Sequence, residues 1–189
     1  MVLLFYLGLL LPGLLFQVNR ARMMEIHEVY FQSPLGIIEI TGNKNGILAV
    51  EFLEDKPVSS PLVPDWQTAV FPEPTTGYLA ECYQQLGEYF QGRRQIFTVP
   101  FILEGTPFQK KVWESLQKIY YGKTASYREI AISIGNVNAS RGVGSACRLN
   151  KLAIIIPCHR VIGSNGRLTG YAGGLWRKQY LLKHEQTYM

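Results

Sequence analysis

The residue patterning of this chain changes near position 100, and that change restricts the fold more than any other feature. Between Ile26 and Leu53, "EVYFQSPLGIIEITGNKNGILAVEFLE" holds three β-rich runs, divided at Ser33-Pro34 and at Asn45-Gly46. Both dividers are turn chemistry, so the stretch predicts three strands. A proline-rich loop follows from Lys56 to Pro74. Next, "GYLAECYQQLGEYFQG" sets Leu79, Cys82, Tyr83, Leu86, Tyr89 and Phe90 at helical spacing, which makes Cys82 a core residue. Gln95 to Glu104 is a linker, and beyond it the pattern is helical. Thr106-Pro107 is an N-cap with a first-turn proline, opening a helix through about Tyr120 that buries Phe108, Val112, Leu116 and Ile119 before Gly122 stops it. "SYRE", Ser126 to Glu129, is a capping box for a short helix ending near Gly135. A third helix runs from about Ala139 to Arg148, so the pair forms a helix-turn-helix unit. A last helix, "LWRKQYLLKHE", packs Leu175, Leu181 and Leu182. Strands first and helices afterwards give an α+β fold. We expect a small sheet-plus-helix domain over residues 24–100 and a mostly helical domain over 101–189, preceded by an apolar extension over 1–23.

At 189 residues, 47% hydrophobic and 17% charged, the composition is that of a globular protein and excludes a disordered chain. The three cysteines are dispersed, without any C-x-x-C pair. Neither a disulfide framework nor a cysteine-rich zinc site is indicated, and a reducing cytoplasmic compartment fits. Charge is divided unevenly. Residues 1–100 hold 6 Lys/Arg against 10 Asp/Glu, a net −4, whereas residues 101–189 hold 13 against 4, a net +9. A basic half is the footprint of a polyanion partner, although solubility alone also accounts for it. The opening "MVLLFYLGLLLPGLLF" is 16 uncharged residues, interrupted by Pro12 and Gly13. It is short for a membrane span of about 20 residues and lacks the basic start of a signal peptide. Residues 1–23 therefore read as a disordered or non-native extension, with a membrane anchor as the alternative.

Chemistry concentrates in "IIIPCHRVIG", where Cys158 and His159 are adjacent. Cys158 is either a small buried hydrophobe or a thiolate nucleophile with a base nearby. The third helix, "ASRGVGSACR", spends Gly142 and Gly144 on helix interior, at about 1 kcal/mol each relative to alanine. Two explanations stand: tight helix–helix packing, or close approach of a groove with Arg141 projecting. The following "GSNGRLTGYAGG" is glycine-rich but lacks the strand–helix context of a phosphate loop.

In order along the chain, "GTPFQKKVWESLQKIYYGKTASYREIA", "SRGVGSACRLN" and "PCHRVIGSNGRLTGYAGGLWRKQYLLKHE" resemble the O6-alkylguanine-DNA alkyltransferases, also called methylated-DNA–protein-cysteine methyltransferases. The resemblance covers roughly residues 96–186 strongly and the preceding part in general layout. It implies irreversible, single-turnover transfer of the alkyl group of O6-methylguanine, with O4-methylthymine as a further substrate, onto Cys158 after base flipping. His159 would draw the thiol proton through a water, oriented by Glu185. Tyr127 would donate to guanine N3, and Asn150 would brace the cysteine turn. Arg141 would fill the space of the flipped nucleotide, on a DNA-binding surface with Ala139, Ser140, Gly142 and Tyr127. Val161, Tyr171, Ala172 and Gly173 would line the substrate pocket. Ala172 stands where some relatives have serine, so a hydroxyl contact to O6 is absent. The implied partner is double-stranded DNA containing O6-alkylguanine, with no cofactor, no metal, no stable protein partner, and a monomeric chain.

The chemistry of such a step is demanding. A cysteine of pKa about 8.5 is only about 3% thiolate near neutral pH, so a histidine–glutamate relay has a purpose. Three rivals remain. A non-catalytic lesion binder is opposed by Cys158. A helix-turn-helix regulator would need base-reading side chains on the third helix, which shows glycine, alanine and serine instead. A cysteine hydrolase would need a cysteine and a histidine able to face each other, which adjacent residues do poorly.

Overall fold

The computed structural model describes residues 25–53 and 77–189; the apolar extension and the loop from Lys56 to Pro74 lie outside the described residues. The three β-rich runs form an antiparallel meander, β1 (His27–Ser33), β2 (Gly36–Asn43) and β3 (Gly46–Phe52). Alternation decides which face is buried, and Phe31, Ile38, Ile40, Ile47 and Val50 point into the core. Helix α1 (Gly77–Phe90) crosses the sheet and buries Leu79, Cys82, Tyr83, Leu86 and Tyr89, as its spacing predicts.

The free edge of β3 is covered twice. The linker pairs with it at Ile47, whose N–H donates to Pro100 O at 2.9 Å. A side chain at Gly46 would strike that carbonyl at 2.8 Å, so the close approach requires glycine. Farther along, Val50 N donates to Lys151 O at 2.7 Å and Ala153 N to Val50 O at 2.9 Å. An unpaired strand edge is thereby satisfied by the segment that leads to Cys158.

Helices α2 (Pro107–Leu116), α3 (Tyr127–Ser133) and α4 (Ser140–Arg148) pack on one another. The expected capping box of Ser126 with Glu129 is formed, and the expected N-cap Thr106 also forms one, with Gln109. Trp113 Nε1 donates to Ala146 O at 2.9 Å and ties α2 to α4. The helix expected to reach Tyr120 ends at Leu116. Beyond it the backbone serves tertiary partners: Ile119 O accepts from Arg160 at 2.7 Å, and Gly122 N donates to Glu185 at 3.0 Å. The two-residue strands β4 (Ala125–Ser126) and β5 (Val161–Ile162) pair in parallel, joining the start of α3 to the chain just after Cys158.

Helix α5 (Leu175–Thr187) closes the fold. Leu181 is fully buried, but Leu175, expected in the core, is 47% exposed. The inward face of α5 is instead Arg177, Lys178, Leu181, His184 and Glu185, because polar acceptors await those charges inside. One hydrophobic cluster runs from the sheet through the five helices of the described residues.

Candidate active site around Cys158

The isoleucine run before Cys158 is not a strand. Ile154 sits at φ +71° while only 1% exposed, a conformation that a β-branched side chain rarely adopts. The turn it makes delivers Pro157 and a single 3₁₀ turn, Cys158–Arg160. Asn150 hydrogen-bonds along that turn. Its Nδ2 donates to Ile156 O at 2.9 Å and to Cys158 Sγ at 3.3 Å, and its Oδ1 accepts from Leu152 N at 3.0 Å. The Val50–Leu152 pairing before the turn and β5 after it fix both ends. Burial pushes the Cys158 thiol up, while Asn150 and Lys178 act in the opposite sense. At rest the sulfur is therefore held as thiol, and any nucleophilic role needs a base.

A candidate base, His159, is adjacent and fully buried. His159 Nε2 lies 2.7 Å from Glu185 Oε1, and its Nδ1 has no protein partner among the described residues. Burial lowers the His159 pKa against the opposing pull of Glu185, so the ring rests neutral. Glu185 is surrounded by donors. Arg160 Nε and Nη2 reach it at 2.9 Å each, Tyr89 OH at 3.0 Å and Gly122 N at 3.0 Å. Burial alone would raise this carboxyl, but His159 and Arg160 hold it well below the usual carboxylate range. Neither Arg160 nor Tyr89 was assigned a role from sequence. The signal for Arg160 is its charge beside the histidine; nothing local marks Tyr89, which lies 96 residues from its partner.

Cys158 opens on a cavity of about 680 Å³ whose walls include Tyr127, Ser140, Gly144, Cys147, Arg148 and the loop from Thr169 to Ala172. This volume is ample for a ligand as large as a nucleobase. Tyr127 OH spans the cavity and donates to Thr169 O at 3.2 Å. The Tyr171 hydroxyl is buried without a partner among the described residues. Cys147, unflagged by sequence, shares the cavity, and burial pushes its thiol up to about 12. Lys178, fully buried, donates to Val161 O at 2.5 Å and to Thr169 O at 2.9 Å, stitching β5 to the loop. The Val161 carbonyl expected in the pocket is thus already hydrogen-bonded. Ala172 and Gly173 line a second, smaller cavity that also reaches Cys158.

The two glycines of α4 have different surroundings. A side chain at Gly142 would meet Phe108 of α2 at 3.1 Å, so this glycine serves helix packing. Gly144 faces Tyr127 and the cavity. Ala139 and Ser140 are half-buried at the start of α4, and Arg141 is exposed beside them.

Comparison with known proteins agrees with this geometry. Residues 26–103 match the sequence model of the 6-O-methylguanine DNA methyltransferase ribonuclease-like domain, and residues 107–187 match that of the 6-O-methylguanine DNA methyltransferase DNA binding domain. A methylated-DNA–protein-cysteine methyltransferase of Methanosarcina acetivorans is 47% identical over 82% of this chain and 95% of its own length. The constitutive one of Bacillus subtilis is 42% identical over 82% and 92%. The solved structure of the Mycobacterium tuberculosis protein OGT in complex with DNA superposes with a TM-score of 0.73 at 40% identity, covering 86% of this chain and 94% of that one.

Proposed function

This chain belongs to the methylated-DNA–protein-cysteine methyltransferase family, and from that premise we propose that Cys158 accepts, once, the alkyl group of an O6-alkylguanine flipped out of duplex DNA. The observation that carries the assignment is the position of the Cys158 sulfur, on the wall of a cavity large enough for a nucleobase and beside a buried His159–Glu185 pair. In the step, the Cys158 proton passes to His159 Nδ1 through a bridging water. The Sγ–carbon bond forms as the carbon–O6 bond breaks, and the base departs as guanine once a proton reaches it. Tyr127 donates toward N3 of that base, exchanging Thr169 O for the ring nitrogen as negative charge develops. Asn150 holds the sulfur, and Arg160 with Tyr89 keeps Glu185 charged and aimed. No group in the site reverses a thioether, so each molecule acts once.

Reaching the base requires unstacking it, at a cost of a few kcal/mol. The short side chains at the start of α4 let that helix approach a groove, with Arg141 occupying the vacated space. Ala139, Ser140, Gly142 and Tyr127 complete the DNA surface in this assignment, and Val161, Tyr171, Ala172 and Gly173 complete the pocket. Residues 24–100 then act as a supporting domain and 101–189 as the DNA-binding and catalytic one. Three free cysteines suit the cytoplasm, where this chain acts as a monomer. Among the described residues no helix is long and apolar enough to cross a membrane.

The test is intact mass after incubation with duplex DNA containing O6-methylguanine. One methyl, about 14 Da, is expected on Cys158 and no further gain with time. Continued turnover, or label on Cys82 or Cys147, overturns the assignment.

A further inference from the structure

Arg177 is the third residue of α5, near the positive end of the helix dipole, where a cation is unfavourable. It is also only 8% exposed. Helix stability does not explain an arginine there; its partners do. Nε donates to Leu35 O in the β1–β2 turn at 2.9 Å, and Nη1 donates to Gly173 O in the substrate loop at 3.0 Å. The guanidinium also lies 4.9 Å from the centre of the Phe52 ring, at the end of β3, and 4.6 Å from that of Trp176. One side chain therefore fastens the sheet to the loop that forms the pocket.

What lies between those two anchors is the smaller cavity beside Cys158, about 250 Å³. Phe52 forms its wall on the sheet side, Tyr171 to Gly173 the opposing wall, and Ala153 and Asn150 belong to the cysteine segment. The walls meet without slack, since a side chain at Gly173 would come within 3.0 Å of Phe52 and 3.1 Å of Tyr171. A methyl group is close in size to a water molecule, whose share of liquid volume is about 30 Å³, so the cavity has room for more.

We propose that Arg177 is a positioning residue whose grip on Leu35, Gly173 and Phe52 sets how large an alkyl group the cavity beside Cys158 admits. This rests on the alkyl-transfer assignment above. In that reaction the Sγ–carbon bond replaces the carbon–O6 bond and the thiol proton ends on the released guanine; Arg177 takes no part in the exchange. Its effect is on the walls that hold the carbon in line. A slack wall penalises a methyl, which loses its contacts, more than a benzyl, which fills the added width.

Single-turnover rates on duplexes containing O6-methylguanine or O6-benzylguanine test this, with wild type, Arg177→Met, Arg177→Lys and Phe52→Leu. The benzyl-to-methyl rate ratio should rise at least about fivefold in each variant, the size of a discrimination set by pocket fit. Lysine keeps the charge but lacks the planar fork whose Nε and Nη1 reach Leu35 O and Gly173 O while the guanidinium stacks on Phe52, so it should not rescue. A ratio within about twofold of wild type, with both rates falling together, makes Arg177 merely structural and overturns the proposal. If Arg177→Met does not fold, Arg177→Lys and Phe52→Leu decide by the same ratio. If wild type transfers neither group, the assignment of Cys158 fails, which is a separate result.

Discussion

Glu185 accepts from four residues and has no exposed surface, so its protonation state is a stability question as well as a catalytic one. A carboxyl whose folded pKa lies below its unfolded value contributes stability that is present above the unfolded value, 4.5, and lost as pH falls from there toward the folded one. His159 acts in the same direction: burial keeps it neutral in the fold, while the unfolded chain binds a proton below its ordinary value of 6.5. Melting temperature should therefore hold steady from that value up to the ordinary thiol range, decline on acidification below it, and decline more steeply below 4.5. Equal melting temperatures at neutral pH and well below 4.5 would contradict the buried cluster. Glu185→Gln should abolish the lower step. It should also cost about 3 kcal/mol or more in urea unfolding, because Arg160 is left as an unpaired buried charge. At this scale the sequence was partly legible. Cys158, His159 and Glu185 follow from the resemblance, but Arg160 and Tyr89 matter through Glu185, which folding brings to them from 25 and 96 residues away.

Elements governed by neighbouring residues were readable, and elements governed by distant ones were not. The three strands, the Thr106 N-cap, the Ser126 capping box and α4 obey local rules, and they stand where those rules put them. The end of α2, the exposure of Leu175 and the left-handed Ile154 depend on which tertiary acceptors and donors lie nearby, which no window of sequence contains. The capping box of α3 has a functional consequence, because its cap, Ser126, also pairs in β4 and precedes Tyr127. Ser126→Ala should lower stability by about 1 kcal/mol and slow transfer beyond what that loss explains, since Tyr127 swings with the first turn. A stability loss with an unchanged transfer rate would show that Tyr127 is held from elsewhere. Helix α4 makes a sharper demand. Arg141→Ala should slow transfer from duplex DNA by about tenfold or more while leaving transfer from free O6-methylguanine base within about twofold, because only the duplex requires extrusion. Equal slowing of both assigns Arg141 to the pocket or the fold.

Across the whole molecule, charge is sorted by burial. Of the 13 Lys/Arg in residues 101–189, Arg160, Arg177 and Lys178 are buried and engaged with Glu185 or with backbone carbonyls. The other ten are exposed, among them Lys110, Lys111, Lys123, Arg128, Arg141, Arg148 and Lys151. The net +9 of this half was visible in composition, but not that three of its charges face inward. The remaining ten are free to meet phosphates, and such contacts release counterions without reading sequence. Affinity for an unmodified duplex should accordingly fall along a straight line in log–log form as salt rises, with a slope of about −3 or steeper, since each phosphate neutralised contributes about −0.9. It should change little between duplexes of unrelated sequence. Arg128→Gln and Arg148→Gln, on the two helices that flank the cavity mouth, should each make the slope shallower by about one unit. Fluorescence anisotropy on a labelled duplex across a salt series measures all of this. An affinity indifferent to salt, or a slope unmoved by both substitutions, would place the DNA on another face of the protein.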